Sequence, residues 1–227
     1  MIPRPEHPLV VALDVSDVGV AEALARDLAP HVGMLKVGLE LFWAAGPEAV
    51  RRISGSAPVF VDAKLHDIPT TVERATANIA RLGVAMLTVH ALGGEAMMRA
   101  ALEGATRGAE SAGHVVPAVV AVTVLSSMAG EDLATPSSLA FEARAAGLDG
   151  VVVSGLDVRE VRAVCGEEFC LVVPGIRPHG SNGDDQVRVL TPSAALDAGA
   201  DYLVVGRPIT ASDDPAGVAK GIALGVR

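Results

Sequence analysis

Val59-Phe60-Val61-Asp62-Ala63-Lys64-Leu65-His66-Asp67-Ile68-Pro69-Thr70-Thr71 holds, in one stretch, a short apolar run, a cluster of charges and the approach to a helix. Val59–Val61 is apolar without alternation and rich in β-branched residues, the pattern of a strand buried on both faces of a parallel sheet. Asp62 and Lys64 are two residues apart, so on a strand their side chains share a face. Asp67 follows after the strand has ended, and Pro69 signals a helix starting just beyond it. From Thr71 to Leu82 apolar residues recur at helical spacing, with Arg and Glu opposite.

The same unit recurs outward in both directions. Leu9–Leu13, Met34–Val37, Val59–Val61, Met86–Val89, Val116–Val124, Val151–Val153, Leu171–Val173 and Tyr202–Val205 make eight such runs. Helical stretches lie between them. Val18–Leu28 is amphipathic, and Thr191-Pro192 opens a helix as N-cap and first-turn proline that Gly199 closes. Strand and helix alternate throughout, and no linker, low-complexity segment or charge block interrupts them. Eight units predict an α/β fold, a closed (β/α)8 TIM barrel in a single domain over residues 1–227, in preference to an open doubly wound sheet. Half of the residues are hydrophobic but only 3% are aromatic, so the core is built from Val, Ala, Leu and Ile.

Composition narrows the function. A net charge of −9 argues against nucleic-acid binding, which needs a basic footprint, while leaving room for a local basic pocket that takes a small phosphate ester. Cys165 and Cys170 are too few for a disulfide framework or a zinc site and read as reduced thiols of a cytoplasmic protein. Met1–Pro8 has no apolar run, so no signal peptide is expected. The stretch Val115–Leu125 contains Pro117 and Thr123 and is too short to cross a bilayer, so no membrane association is expected.

In this fold the chemistry sits where strands end on their C-terminal side. That edge carries Asp14, Lys36, Asp62 with Lys64, His90, Thr123 with Ser126, Ser154, Pro174-Gly175 and Gly206-Arg207. Ser154 and Thr123 carry two readings, site or strand-end packing, and His90 reads as a core histidine bonded to a neighbour. Asp62 and Lys64 would face the barrel interior near its mouth. A structural ion pair there is one alternative, although buried pairs are often replaceable by apolar residues without loss of stability. Carboxylates beside a lysine favour its ammonium form, which is a poor base and nucleophile but a good proton donor. At the far end, Gly206 lets the backbone approach a ligand and Arg207 supplies a fixed positive fork, at the loops where barrels commonly bind phosphate. The loop Arg177-Pro178-His179-Gly180-Ser181-Asn182-Gly183-Asp184-Asp185-Gln186 is long and Gly/Asn/Asp-rich, and reads as a lid over that site.

From Leu9 to about Pro215 the chain resembles the orotidine 5′-monophosphate decarboxylase family. The most specific part is Asp-x-Lys-x-x-Asp at Asp62, Lys64 and Asp67, followed by Ile68-Pro69 and Thr71. Leu13-Asp14, Leu35-Lys36-Val37-Gly38, Leu125-Ser126-Ser127, Pro174-Gly175-Ile176-Arg177, Asp185-Gln186-Val187-Arg188 and Val205-Gly206-Arg207 support it by their order. The resemblance implies that Asp14 and Lys36 hold ribose hydroxyls, with Lys36 also bonded into the charged array. Asp62 would face the substrate carboxylate and Lys64 would protonate C6 of the pyrimidine. Asp67, Ile68 and Thr71 would reach into the partner's site in a homodimer with shared active sites. Ser126 would read the pyrimidine edge, Pro174 would line the substrate site, and Arg177, Gln186, Gly206 and Arg207 would bind or enclose the phosphate. It implies neither a metal nor an organic cofactor. Ala63 and Leu65 stand where the family often has bulkier residues, and Thr70 where Asn is common; no catalytic group is lost. A magnesium-dependent sugar-phosphate decarboxylase or aldolase with the same motif, and a non-catalytic nucleotide-phosphate-binding barrel, are the competing readings.

Overall fold

Eight parallel strands close into a barrel in the computed structural model, which describes residues 7–124, 134–177 and 190–225. The strands are β1 (Leu9–Ala12), β2 (Met34–Val37), β3 (Val59–Leu65), β4 (Met86–His90), β5 (Ala118–Val122), β6 (Gly150–Val152), β7 (Cys170–Val173) and β8 (Tyr202–Val205). Each pairs with the next, and β8 returns to β1 through Leu9↔Leu203 and Val11↔Val205. The α-helices among the described residues are α1 (Val18–Leu28), α2 (Leu39–Ala45), α3 (Pro47–Ser54), α4 (Pro69–Ala80), α5 (Gly94–Ala112), α6 (Pro136–Ala145), α7 (Val158–Cys165), α8 (Pro192–Asp197), α9 (Arg207–Thr210) and α10 (Pro215–Gly225). This is the (β/α)8 barrel expected from the eight apolar runs, and none of the described helices is long and apolar enough to cross a membrane.

The non-alternating strands have a simple cause. Leu9, Val11, Leu35, Val37, Val59 and Val61 face the helices, while Val10, Ala12, Met34, Phe60, Met86, Val120, Val172 and Val204 pack together inside the barrel. Both faces of each strand are dry, so both carry apolar side chains. The inward series changes character toward the C-terminal edge, where Met34 is followed two residues on by Lys36, Phe60 by Asp62 and Met86 by Thr88.

Of the boundaries that differ from the sequence-based expectation, two bear on the site. Strand β3 runs on to Leu65, which pairs with Val89 after a shift of register, and α4 starts at Pro69 itself. Ile68 adopts extended backbone and its carbonyl accepts from the N–H groups of Thr71 and Val72. Proline, which has no N–H, therefore leaves no donor unsatisfied in the first turn. Helix α1 begins where expected because the Asp17 carboxylate accepts the Val20 N–H at 2.9 Å. Helix α5 lies against α4 in backbone contact: a Cβ on Gly104 would stand 2.1 Å from the Glu73 carbonyl oxygen, and one on Gly108 2.2 Å from that of Ala77.

A buried arginine fastens α7 to the N-terminal ends of two strands. Arg162 on α7 donates to the carbonyls of Gly166, Phe169 and Gly199 and pairs with Asp201 at 2.7 Å. Asp201 also accepts the Leu171 N–H at 2.8 Å, tying α7 to the starts of β7 and β8.

Candidate active site

The C-terminal ends of the strands surround a cavity of about 320 Å³, at the small end of the range for small-molecule sites. One side is charged: Asp14, Lys36, Asp62 and Lys64. Ser154, Pro174, Gly175 and Arg177, from the strand ends across the barrel, also line it, and Gly206 and Arg207 follow β8 beside Asp14, where a Cβ on Gly206 would stand 3.5 Å from Asp14 Oδ2. The C-terminal ends of six different strands, or the residues just after them, thus converge, and the placement is that of a ligand site in a barrel.

The charged wall alternates in sign. Lys36 is 8% exposed, and its Nζ lies 3.3 Å from Asp14 Oδ1 and 3.4 Å from Asp62 Oδ2. Lys64 Nζ lies 2.5 Å from the same Asp62 oxygen. Gly38 makes room for this: a Cβ there would sit 2.9 Å from Lys36 Nζ and 3.0 Å from Asp14 Oδ1. Burial alone would raise the pKa of the Asp62 carboxyl. The ammonium groups of Lys36 and Lys64, with hydrogen bonds from Lys64 and Thr88, together outweigh burial and hold it below the ordinary aspartate value.

The route by which Asp62 and Lys64 meet is not the regular pleat assumed from their spacing. Between the pairs Val61↔Leu87 and Leu65↔Val89, β3 runs four residues and β4 only two, so β3 bulges. Lys64 sits in the bulge with φ 49, the one non-glycine positive φ among the described residues, a conformation that costs about 1–3 kcal/mol and persists only where its surroundings hold it. Its backbone N–H donates to Thr88 Oγ1 at 2.8 Å, and that hydroxyl donates to Asp62 Oδ1 at 3.0 Å. Thr88 is fully buried. It escaped the sequence reading because it stands inside the apolar run Met86–Val89. The two-residue phase of β4, Met86 inward and hence Thr88 inward, was the signal available.

Other strand-end residues divide. The Thr123 hydroxyl donates to the Val152 carbonyl at 3.0 Å, a packing role, while Ser154 lines the cavity. His90 is not a bonded core histidine as expected: its buried Nδ1 has no hydrogen-bond partner among the described residues, and its ring stands 5.5 Å from that of His66. Burial first, then the charges of His66 and Lys64, lower its pKa against the opposing pull of Asp62. Arg177 is 8% exposed, its backbone N–H donates to the Leu190 carbonyl, and its buried Nε has no hydrogen-bond partner among the described residues. Arg207 begins α9, with Gly206 as its N-cap.

Asp67, Ile68 and Thr71 are exposed and do not line this cavity. Asp67 Oδ1 accepts the N–H of Ile68 at 2.7 Å, and no ion pair joins it to Lys64 within the chain. Ser126 and Gln186, with most of the loop after Arg177, lie outside the described residues. Among the described residues no group of three or more acidic, histidine or cysteine side chains is arranged to hold a metal ion.

The model of the orotidine 5′-phosphate decarboxylase / HUMPS family matches residues 7–222. The chain belongs to this family. Orotidine 5′-phosphate decarboxylase of Moorella thermoacetica is 48% identical over 227 aligned residues, covering 95% of this chain and 90% of the relative. That of Paramagnetospirillum magneticum is 49% identical, covering 92% of this chain and 94% of the relative. Among solved structures, orotidine 5′-phosphate decarboxylase from Lactobacillus acidophilus superimposes with a TM-score of 0.84 at 34% identity, covering 98% of this chain and all of that one.

Proposed function

We propose that this chain decarboxylates orotidine 5′-monophosphate to UMP, the last step of de novo pyrimidine nucleotide synthesis, as a single-domain cytoplasmic enzyme that needs no metal or cofactor. The observation that carries this reading is the alternating Asp14–Lys36–Asp62–Lys64 array on one wall of a cavity that Gly206 and Arg207 also line, in a chain whose curated relatives are named for this reaction.

Loss of CO2 leaves the bonding pair on C6, where no π-system absorbs it. A fixed charge must therefore stabilise it. The Lys64 ammonium, anchored by Asp62, supplies that charge and then its proton to C6. Asp62 faces the departing carboxylate. Asp14 and Lys36 hold the ribose hydroxyls, and Pro174 and Ser126 bound the pyrimidine. Arg177, Gln186, Gly206 and Arg207 grip the phosphate, whose binding energy assembles the site. Asp67, Ile68 and Thr71, exposed on this chain, complete the site of a partner subunit in a homodimer, a two-fold arrangement in which each site draws on both chains.

The test follows the ultraviolet absorbance of orotidine 5′-monophosphate after addition of pure protein in excess chelator. Conversion to UMP at an undiminished rate is expected. Activity that vanishes with chelator and returns with magnesium would overturn the reading in favour of a sugar-phosphate enzyme. For the shared site, Lys64→Ala and Asp67→Ala chains, each nearly inactive alone, should regain turnover when mixed and allowed to exchange subunits. No recovery despite proven exchange would assign Asp67 to its own chain's site.

A further inference from the structure

The bulge in β3 creates a structural debt that one hydroxyl settles. In a regular parallel ladder every inner N–H has a carbonyl on the neighbouring strand. At the bulge the Lys64 N–H instead meets a side chain, Thr88 Oγ1 on β4, at 2.8 Å. The same oxygen is 3.0 Å from Asp62 Oδ1. A backbone N–H only donates and an ionised carboxylate only accepts, so the direction of the chain is determined: Lys64 N–H to Thr88 oxygen, Thr88 proton to Asp62. With Oδ1 tied to β4, Oδ2 is the oxygen turned to Lys36 and Lys64, at 3.4 and 2.5 Å.

We propose that Thr88 is a positioning residue for the reaction, its hydroxyl holding Lys64 in its left-handed backbone while orienting Asp62 toward both lysines. Thr88 is fully buried and does not line the cavity, so it acts through Asp62 and Lys64 and not on the substrate. This rests on the decarboxylase reading for its kinetic test, though not for its structural one. Without the hydroxyl the Lys64 N–H loses its partner, the carboxylate is free to turn, and the ammonium loses its fixed aim. Small displacements of a reacting group affect the rate constant far more than affinity. Among the described residues the Thr88 hydroxyl bonds Lys64 and Asp62 and not Asp14, which is assigned to the ribose.

Two substitution pairs isolate the hydroxyl. Thr88→Val exchanges it for a methyl group of similar size, and Thr88→Ser against Thr88→Ala differs by the oxygen alone. Thr88→Val should lower kcat about 10- to 100-fold, the range for one hydrogen bond to a charged group, with KM little changed. Thr88→Ser should keep most of the turnover that Thr88→Ala loses. If Thr88→Val does not accumulate as folded protein, the serine and alanine pair gives the same comparison. Wild-type kcat in Thr88→Val, equal losses in serine and alanine, or a rise in KM that accounts for the whole effect would each overturn the proposal. A crystal structure of Thr88→Val needs no turnover. It should show Lys64 out of its positive φ or Asp62 Oδ2 turned away from Lys64, and an unchanged bulge and ion pair would also overturn the proposal. A wild-type protein inert toward orotidine 5′-monophosphate would instead sink the decarboxylase reading and leave this structural test standing.

Discussion

At the N-terminal end of the barrel, Arg162 donates five hydrogen bonds and both it and Asp201 have side chains 8% exposed. At the C-terminal end, Lys64 pairs with Asp62 while 31% exposed, beside a cavity, and Asp14 is 45% exposed. Both clusters take charge out of water, which is costly unless the geometry is good and the remaining donors are met. The floor meets them with backbone carbonyls of its own chain, so its arrangement is complete without a ligand. An ammonium has three donors, and Lys64 commits one to Asp62 among the described residues while facing the cavity. The orphan Nε of Arg177 lies in the opposite wall of the same cavity. Charge committed within the fold marks a fastening, whereas charge left facing a cavity marks a site.

Breaking each cluster in turn should separate the two roles. Lys64→Ala should lower kcat by at least ~100-fold, the usual minimum for loss of a proton donor, while its melting temperature stays near that of wild type because Asp62 keeps Lys36 and Thr88. Retention of more than roughly a tenth of turnover would remove Lys64 from the donor role. Arg162→Ala should do the reverse. Taking the guanidinium from the buried Asp201 carboxylate should cost about 3–5 kcal/mol of stability, read by urea denaturation, with kcat per folded molecule preserved. An Arg162→Ala protein that unfolds like wild type but turns over slowly would mean the two ends are coupled.

The two ends were not equally legible in the sequence. The barrel followed from eight apolar runs with both faces dry, and the charged wall followed from strand ends at Asp14, Lys36 and Asp62. The pairing of Asp62 with Lys64 was legible, but its geometry was not. A two-residue spacing implies a regular pleat, and nothing in Val61-Asp62-Ala63-Lys64-Leu65 announces a bulge with a lysine at positive φ. Thr88 was hidden for a related reason: a β-branched residue among valines satisfies the strand pattern whether its hydroxyl is idle or bonded. Arg162 was invisible because its partners are mainly carbonyls, and every residue type supplies those.

Acid titration should sharpen the comparison with the smallest effects, since two groups at the mouth have lowered pKa values. For Asp62 the lowered value means that its charged form is favoured by folding. Its contribution to stability is therefore present above the ordinary aspartate pKa and lost only as pH falls through the lower folded value. The difference in melting temperature between wild type and Asp62→Asn should stay level from neutral pH to about 4 and narrow only below it. His90 adds a second, milder window. Burial, with help from His66 and Lys64, lowers its pKa, so folding favours the neutral ring. The unfolded chain then binds the proton first as pH falls below the ordinary histidine value of 6.5, and stability declines from there down to the folded pKa. The sign follows from the excess of bound protons in the unfolded state, which makes stability rise with pH across that window. His90→Gln removes the titrating ring and should flatten this stretch of the curve while leaving the Asp62 stretch below it intact. A wild-type curve with no slope below 6.5, or one whose slope survives in His90→Gln, would show that the half-buried ring gains its proton in the folded chain as easily as in the unfolded one. The unpartnered Nδ1 would then have solvent or a ligand group for company, which the floor cluster, closed by its own carbonyls, does not need.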